Sequence, residues 1–129
     1  MPAGLRLVTL VVDNYDAALR FYVDVAGFSL IEDTPLGDGK RWVVVQPPGP
    51  GAALLIAQAE GDRQRDRIGD QTGGRVAFFL STDDFAADYE RMSRAGVTFL
   101  EQPRHEPYGT VAVFTDPYGN TWDLIRHAD

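Results

Sequence analysis

The chain has no cysteine among its 129 residues, which removes disulfides, thiolate metal sites and cysteine nucleophiles at a stroke. Nothing in it asks for an oxidising compartment. Positive charge is also scarce: 12 Lys and Arg against 19 Asp and Glu leave a net charge of −7, with no basic run. Phosphate backbones and anionic membrane surfaces are therefore poor partners, and neither nucleic acid nor membrane is expected. Apolar runs are too short to cross a bilayer, and the opening MPAGLRLV lacks the pattern of a signal peptide, so a soluble cytoplasmic protein is expected. There is no GxSxG, P-loop, dinucleotide glycine fingerprint or HExxH. Serine nucleophiles and nucleotide hydrolysis have no support.

What the chain does have is a repetition. The stretch Leu7-Val8-Thr9-Leu10-Val11-Val12 recurs in pattern as Arg75-Val76-Ala77-Phe78-Phe79-Leu80. Each copy leads into an amphipathic segment, Asp16 to Ala26 or Asp84 to Ala95, that stops at a glycine, Gly27 or Gly96. After a slip of one residue, Arg41 to Ala57 lies over Gly109 to Ile125, with Gly51 on Gly119 and Leu55 on Asp123. Repeats at this spacing expose apolar faces that a neighbouring unit covers. At this length the copies share one core, so the expectation is a single domain, 1–129, made of modules at about 5–59 and 75–127 joined by a charged linker, 60–74, with room for one helical turn. Two matched modules imply one pocket between them.

Each module reads as strand, helix, strand, strand, strand, an α+β pattern. Asn14 or Asp13 can cap the first helix and Thr82 or Asp83 the second, because a short side-chain oxygen satisfies free amides of the opening turn. Ala18, Phe21 or Tyr22, and Val25 follow helical spacing, as do Phe85, Tyr89 and Met92. The Pro- and Gly-rich segments around 47–51 and 116–120 supply hairpin chemistry.

Strand parity divides the side chains into two faces. Val8, Leu10, Val12, Leu54, Ile56, Val76, Phe78, Leu80, Trp122 and Leu124 form a uniformly large apolar set that should pack on the helices. The opposite parity mixes Leu7, Thr9, Leu55, Ala57, Arg75, Ala77, Phe79, Asp123 and Ile125. Apolar walls with one cation and one anion are what a ligand pocket needs. Residues 41–45 and 110–114 are too uniformly β-branched to assign a parity.

Val12-Asp13 through Phe21-Tyr22 to Gly27-Phe28, together with Phe114-Thr115-Asp116-Pro117-Tyr118-Gly119-Asn120 and Trp122-Asp123-Leu124, resemble the vicinal oxygen chelate superfamily of glyoxalase I, extradiol dioxygenases and bleomycin resistance proteins. The resemblance covers essentially the whole chain. It implies two paired βαβββ modules whose curved mixed sheet surrounds a cavity, and a homodimer. Metal-dependent members carry four ligands on the pocket parity, and the matching places here are Leu7, Leu55 or Ile56, Arg75 and Asp123. One carboxylate beside a guanidinium does not hold a divalent ion, since catalytic sites use about three protein ligands. No metal or other cofactor is expected, and no glyoxalase I activity.

Three readings of function follow. The first is a metal-independent protein that binds a planar or amphipathic small molecule, with Leu7, Thr9, Trp42, Leu55, Ala77, Phe79, Tyr108 and Ile125 as the ligand-contacting set. The second is a lyase or isomerase in which Arg75 acts as electrophile and His105 or Asp123 moves a proton. The third is a metal enzyme with rearranged ligands, Asp123, Glu106 and His105, and the missing ligand set argues against it. Arg75 and Asp123 are expected to pair across the pocket floor, either to hold an anionic ligand or simply to close the old metal site. His105 is either an acid–base group oriented by Glu106 or an exposed loop histidine.

Overall fold

The computed structural model describes residues 2–129, which divide into two compact units, one reaching to Ile68 and the other Gly69–Asp129. The division falls inside the expected linker.

The first unit is a four-stranded sheet in the order β1-β4-β3-β2, from β1 (Leu7–Val12), β2 (Ser29–Gly37), β3 (Lys40–Gln46) and β4 (Ala53–Gln58). β1 runs parallel to β4 and the other neighbours are antiparallel. Between β1 and β2 lies α1 (Tyr15–Leu19), which Asn14 caps by accepting the Ala17 amide at 2.9 Å. The helix continues as a π-helical turn over Arg20–Val25, where the Ala26 amide reaches back to the Phe21 carbonyl at 2.7 Å. Widening the turn brings two successive aromatics inward, so Phe21 and Tyr22 are both buried, where α-helical spacing provides for one. A five-residue helix, α2 (Gly61–Arg65), follows β4.

The register settles the parity that β-branched residues conceal. Val43 pairs with Ile56 and Val45 with Leu54, so these valines share the buried helix-side face and Val44 and Trp42 take the other. Arg41 confirms the assignment, since its guanidinium bonds Asp16 of α1 at 2.9 Å and Asp33 of β2 at 2.6 Å and lies 5.0 Å from the centroid of the Tyr15 ring. The pairing with Arg41 holds the Asp33 carboxyl below its ordinary range.

The second unit contains β5 (Phe78–Ser81), α3 (Phe85–Ala95), β6 (Thr98–Phe99), β7 (Arg104–Glu106), β8 (Gly109–Thr115) and β9 (Thr121–His127). Its order is β5-β9-β8-β6, with β7 also on β8, and β5 is parallel to β9. The cap of α3 is Asp84, which accepts the Ala87 amide at 3.2 Å; neither Thr82 nor Asp83 takes that place. Thr82 works one step earlier, accepting from the Asp84 amide at 2.9 Å and donating to Asp88 at 2.5 Å. Gly96 ends the helix at φ 105°, a left-handed conformation that side chains disfavour.

An aromatic chain joins helix to sheet. Phe85 stacks on Tyr89, Tyr89 meets Phe99 at 4.4 Å between centroids, Phe99 meets Phe114, and Phe114 stacks on Trp122, which touches Phe78 at 4.6 Å. Trp122 is therefore core, as its parity predicts. The Asp116–Asn120 turn is held internally: Asp116, itself buried, accepts the amides of Tyr118 and Asn120 through Oδ1 and the Asn120 side chain through Oδ2. That part of the motif is structural.

Candidate functional site

In the second unit, Phe114 and Trp122 face α3, so the next residue on β9, Asp123, lies on the face without the helix. Its direct partners are Phe79 on β5 and Val113 on β8. Leu100, just after β6, donates its amide to the Val113 carbonyl at 2.8 Å and extends the same row. Phe79 is 64% exposed, Leu100 56% and Tyr108 51%, whereas Asp123 is buried to 9% exposure. A buried carboxylate thus lies beside open apolar side chains.

Asp123 Oδ1 has no hydrogen-bond partner and no solvent access. Burial raises the Asp123 pKa above its ordinary range, Arg104 acts against that rise, and the like charge of Glu101 adds to it. Arg104 is engaged elsewhere: its Nε donates to Glu101 at 2.6 and 2.9 Å, and its Nη1 to Glu106 at 2.9 Å. Glu101, Tyr108 and Glu106 all favour the charged guanidinium. Strand pairing explains the grouping, because Arg104 opposes Val111, which opposes Ile125, two residues along from Asp123 on the same face.

Arg75 is not brought together with either of its two candidate proton-transfer partners, Asp123 and His105. Arg75 and Asp123 form no ion pair among the described residues; the charges that act on Asp123 belong to Arg104 and Glu101. The cause is a register shift. Thr9 opposes Leu55 in the first unit and Phe79 opposes Asp123 in the second, so Leu7 corresponds to Ala77 and not to Arg75. A two-residue error preserves the face and moves the row, leaving Arg75 exposed four residues before Phe79, roughly 13 Å along an extended chain. There it lines a small cavity of about 70 Å³ with Gly69, Thr72, Gly74, Ala77 and Gly119–Thr121. Drug-sized ligands need about 300 Å³ or more.

His105 pairs with Thr110, which pairs with Arg126, placing it on the face opposite Asp123, with Nδ1 3.1 Å from Thr110 Oγ1. Glu106 does not orient it, since adjacent strand residues point to opposite faces and Glu106 bonds Arg104. Of the ligand-contacting set, Ile125 is buried, Ala77 is half-buried, and Phe79 and Tyr108 are exposed. In the first unit, on the face away from α1, Leu7 and Leu55 are half-buried, Thr9 is exposed and Trp42 is 36% exposed. Arg104, Glu101 and Leu100 are the members that sequence reasoning missed. The alternation Arg104-x-Glu106 ahead of a glycine-started strand was their one local signal.

The donor set does not fit a divalent ion. Within the second unit Asp123 is joined by no histidine, and no three His, Cys, Asp or Glu side chains among the described residues are grouped so as to hold a metal ion. The family's other ligand places hold Leu7, Leu55 and, by corrected register, Ala77.

Two βαβββ repeats, each with its helix on one face of a mixed sheet and a mixed polar–apolar set on the other, define an architectural class of protein. The chain belongs to the Glyoxalase/Bleomycin resistance protein/Dioxygenase superfamily, whose family model matches residues 4–124. An uncharacterized protein of Shewanella frigidimarina (strain NCIMB 400) is 53% identical over 131 residues, spanning 100% of this chain and 97% of that one. The crystal structure of UcmS2 superposes with a TM-score of 0.82 at 33% identity, covering 97% of this chain and 98% of that one. TnmS3, an antibiotic binding protein from Streptomyces sp. CB03234, superposes with a TM-score of 0.78 at 29% identity over 98% of each chain. No helix among the described residues is long and apolar enough to cross a membrane.

Proposed function

We propose that this protein binds a flat, aromatic small molecule of the kind antibiotics exemplify, without a metal, on the helix-free face of its second unit. The observation that carries the reading is the row Phe79, Asp123, Val113 and Leu100, in which the exposed Phe79 and Leu100 flank the half-buried Val113 and one buried polar group. Single exposed apolar residues are ordinary, but a contiguous set around a desolvated carboxylate is the composition of a ligand site. Likeness to an antibiotic binding protein supports the same class of ligand. Metal independence rests on the leucines and alanine at the ligand places. Proton-transfer chemistry has less support, because His105 lies on the other face and Arg75 in another row.

A thermal-shift screen of planar antibiotics and polycyclic aromatics tests the reading, since a ligand of the native state raises the midpoint. A hit should lose its shift in Phe79→Ala. A panel without a hit, or hits indifferent to Phe79, would contradict it. A homodimer is part of the proposal, carried by the family resemblance, and light scattering giving a monomer mass would remove it.

A further inference from the structure

Counting charge around Asp123 leaves an imbalance. Arg104 carries the positive charge that acts on Asp123 and already donates to both Glu101 and Glu106. Asp123 is a third acid, and its Oδ1 is buried without a donor. A buried carboxylate oxygen left unmatched is costly in the free protein, and it is the polar feature that the neighbouring apolar side chains surround. Whatever contacts Phe79 passes close to it, because the two residues are direct strand partners.

Resting on the binding role proposed above, we infer that Asp123 selects for ligands that carry a cationic nitrogen, its carboxylate charge attracting that nitrogen while Phe79 contacts the ring system. A cation offsets the charge that Arg104, already shared between Glu101 and Glu106, leaves on Asp123. An anionic ligand would meet excess negative charge instead, because Arg104 has its carboxylate partners already. The ligand class is therefore a flat aromatic amine. A neutral aromatic would bind through its apolar surface alone and be indifferent to the carboxylate.

Two dyes separate these contributions in fluorescence titrations: proflavine, a flat aromatic cation, and Nile red, a flat neutral molecule. Asp123→Asn, nearly identical in shape, should weaken proflavine about tenfold or more, as loss of a desolvated charge contact does, and leave Nile red within about twofold. Glu101→Gln should weaken proflavine by a smaller factor in the same direction. Unchanged proflavine affinity in Asp123→Asn would overturn the selection while leaving the binding role intact, and so would equal losses for both dyes. Binding of neither dye to the unsubstituted protein would overturn both.

Discussion

Asp123 is the residue at which stability and function are set against each other. Burying a carboxylate oxygen with no donor costs on the order of 1–3 kcal/mol, so Asp123→Leu should stabilise the free protein by about that amount at neutral pH. The pH dependence has a definite sign. Because the folded-state pKa lies above the unfolded value of 3.8, the native state holds its proton more tightly, and this group's penalty develops as pH rises through the window between the two values. Above that window the penalty is full. The advantage of Asp123→Leu should therefore be largest at pH 7 and shrink as pH falls toward about 3.8, read from urea midpoints at each pH. An advantage that grows on acidification would contradict the burial account. The face of Asp123 was legible from parity, but its unmatched oxygen was not, because that depends on Arg104 being engaged by Glu101 and Glu106, and such competition is not written in spacing.

Glycine offers a second test at this scale. A Cβ on Gly109 would lie 2.2 Å from the Arg126 carbonyl oxygen at φ 148°, so backbone on β9 would have to move. Gly109→Ala should cost about 3 kcal/mol, within the range of severe single substitutions. Gly49→Ala, with open space and no positive φ, serves as the control and should be nearly neutral in the same denaturant titration.

At the scale of elements, the helices and the buried strand faces were readable because each obeys one period: Phe85, Tyr89 and Met92 on α3, and Leu54, Ile56, Trp122 and Leu124 on the strands. The misreadings occur where a period is broken. The π-helical turn at Arg20–Val25 adds a residue without any proline or glycine to announce it, so both Phe21 and Tyr22 go inward. Repeat matching by pattern then placed Arg75 two residues from its structural equivalent, since a period of two cannot distinguish a strand from the same strand moved by two. The cap pair Asn14 and Asp84 carries the right register, and reading Asp84 as the cap would have corrected it. Asn14→Ala and Asp84→Ala should each cost about 1 kcal/mol of stability, while Asp83→Ala should cost much less. Equal losses for Asp83 and Asp84 would contradict the assignment.

For the molecule as a whole, family membership fixes architecture and leaves chemistry to the site. The conspicuous Asp116–Asn120 part of the motif is consumed by its own turn, while its Asp123 lies buried beside the exposed Phe79, in one row with Val113 and the exposed Leu100. The alternative surface is the shallow groove on the outer side of α3, lined by Ala87, Glu90, Arg91, Arg94 and Ala95. Amide and side-chain NMR shift mapping with the tightest planar aromatic from the thermal screen decides between them. Perturbations centred on Phe79, Leu100, Val113 and Asp123, and lost in Phe79→Ala, are predicted. Perturbations centred on the α3 groove, or spread without a centre, would contradict the claim that the helix-free face binds the ligand.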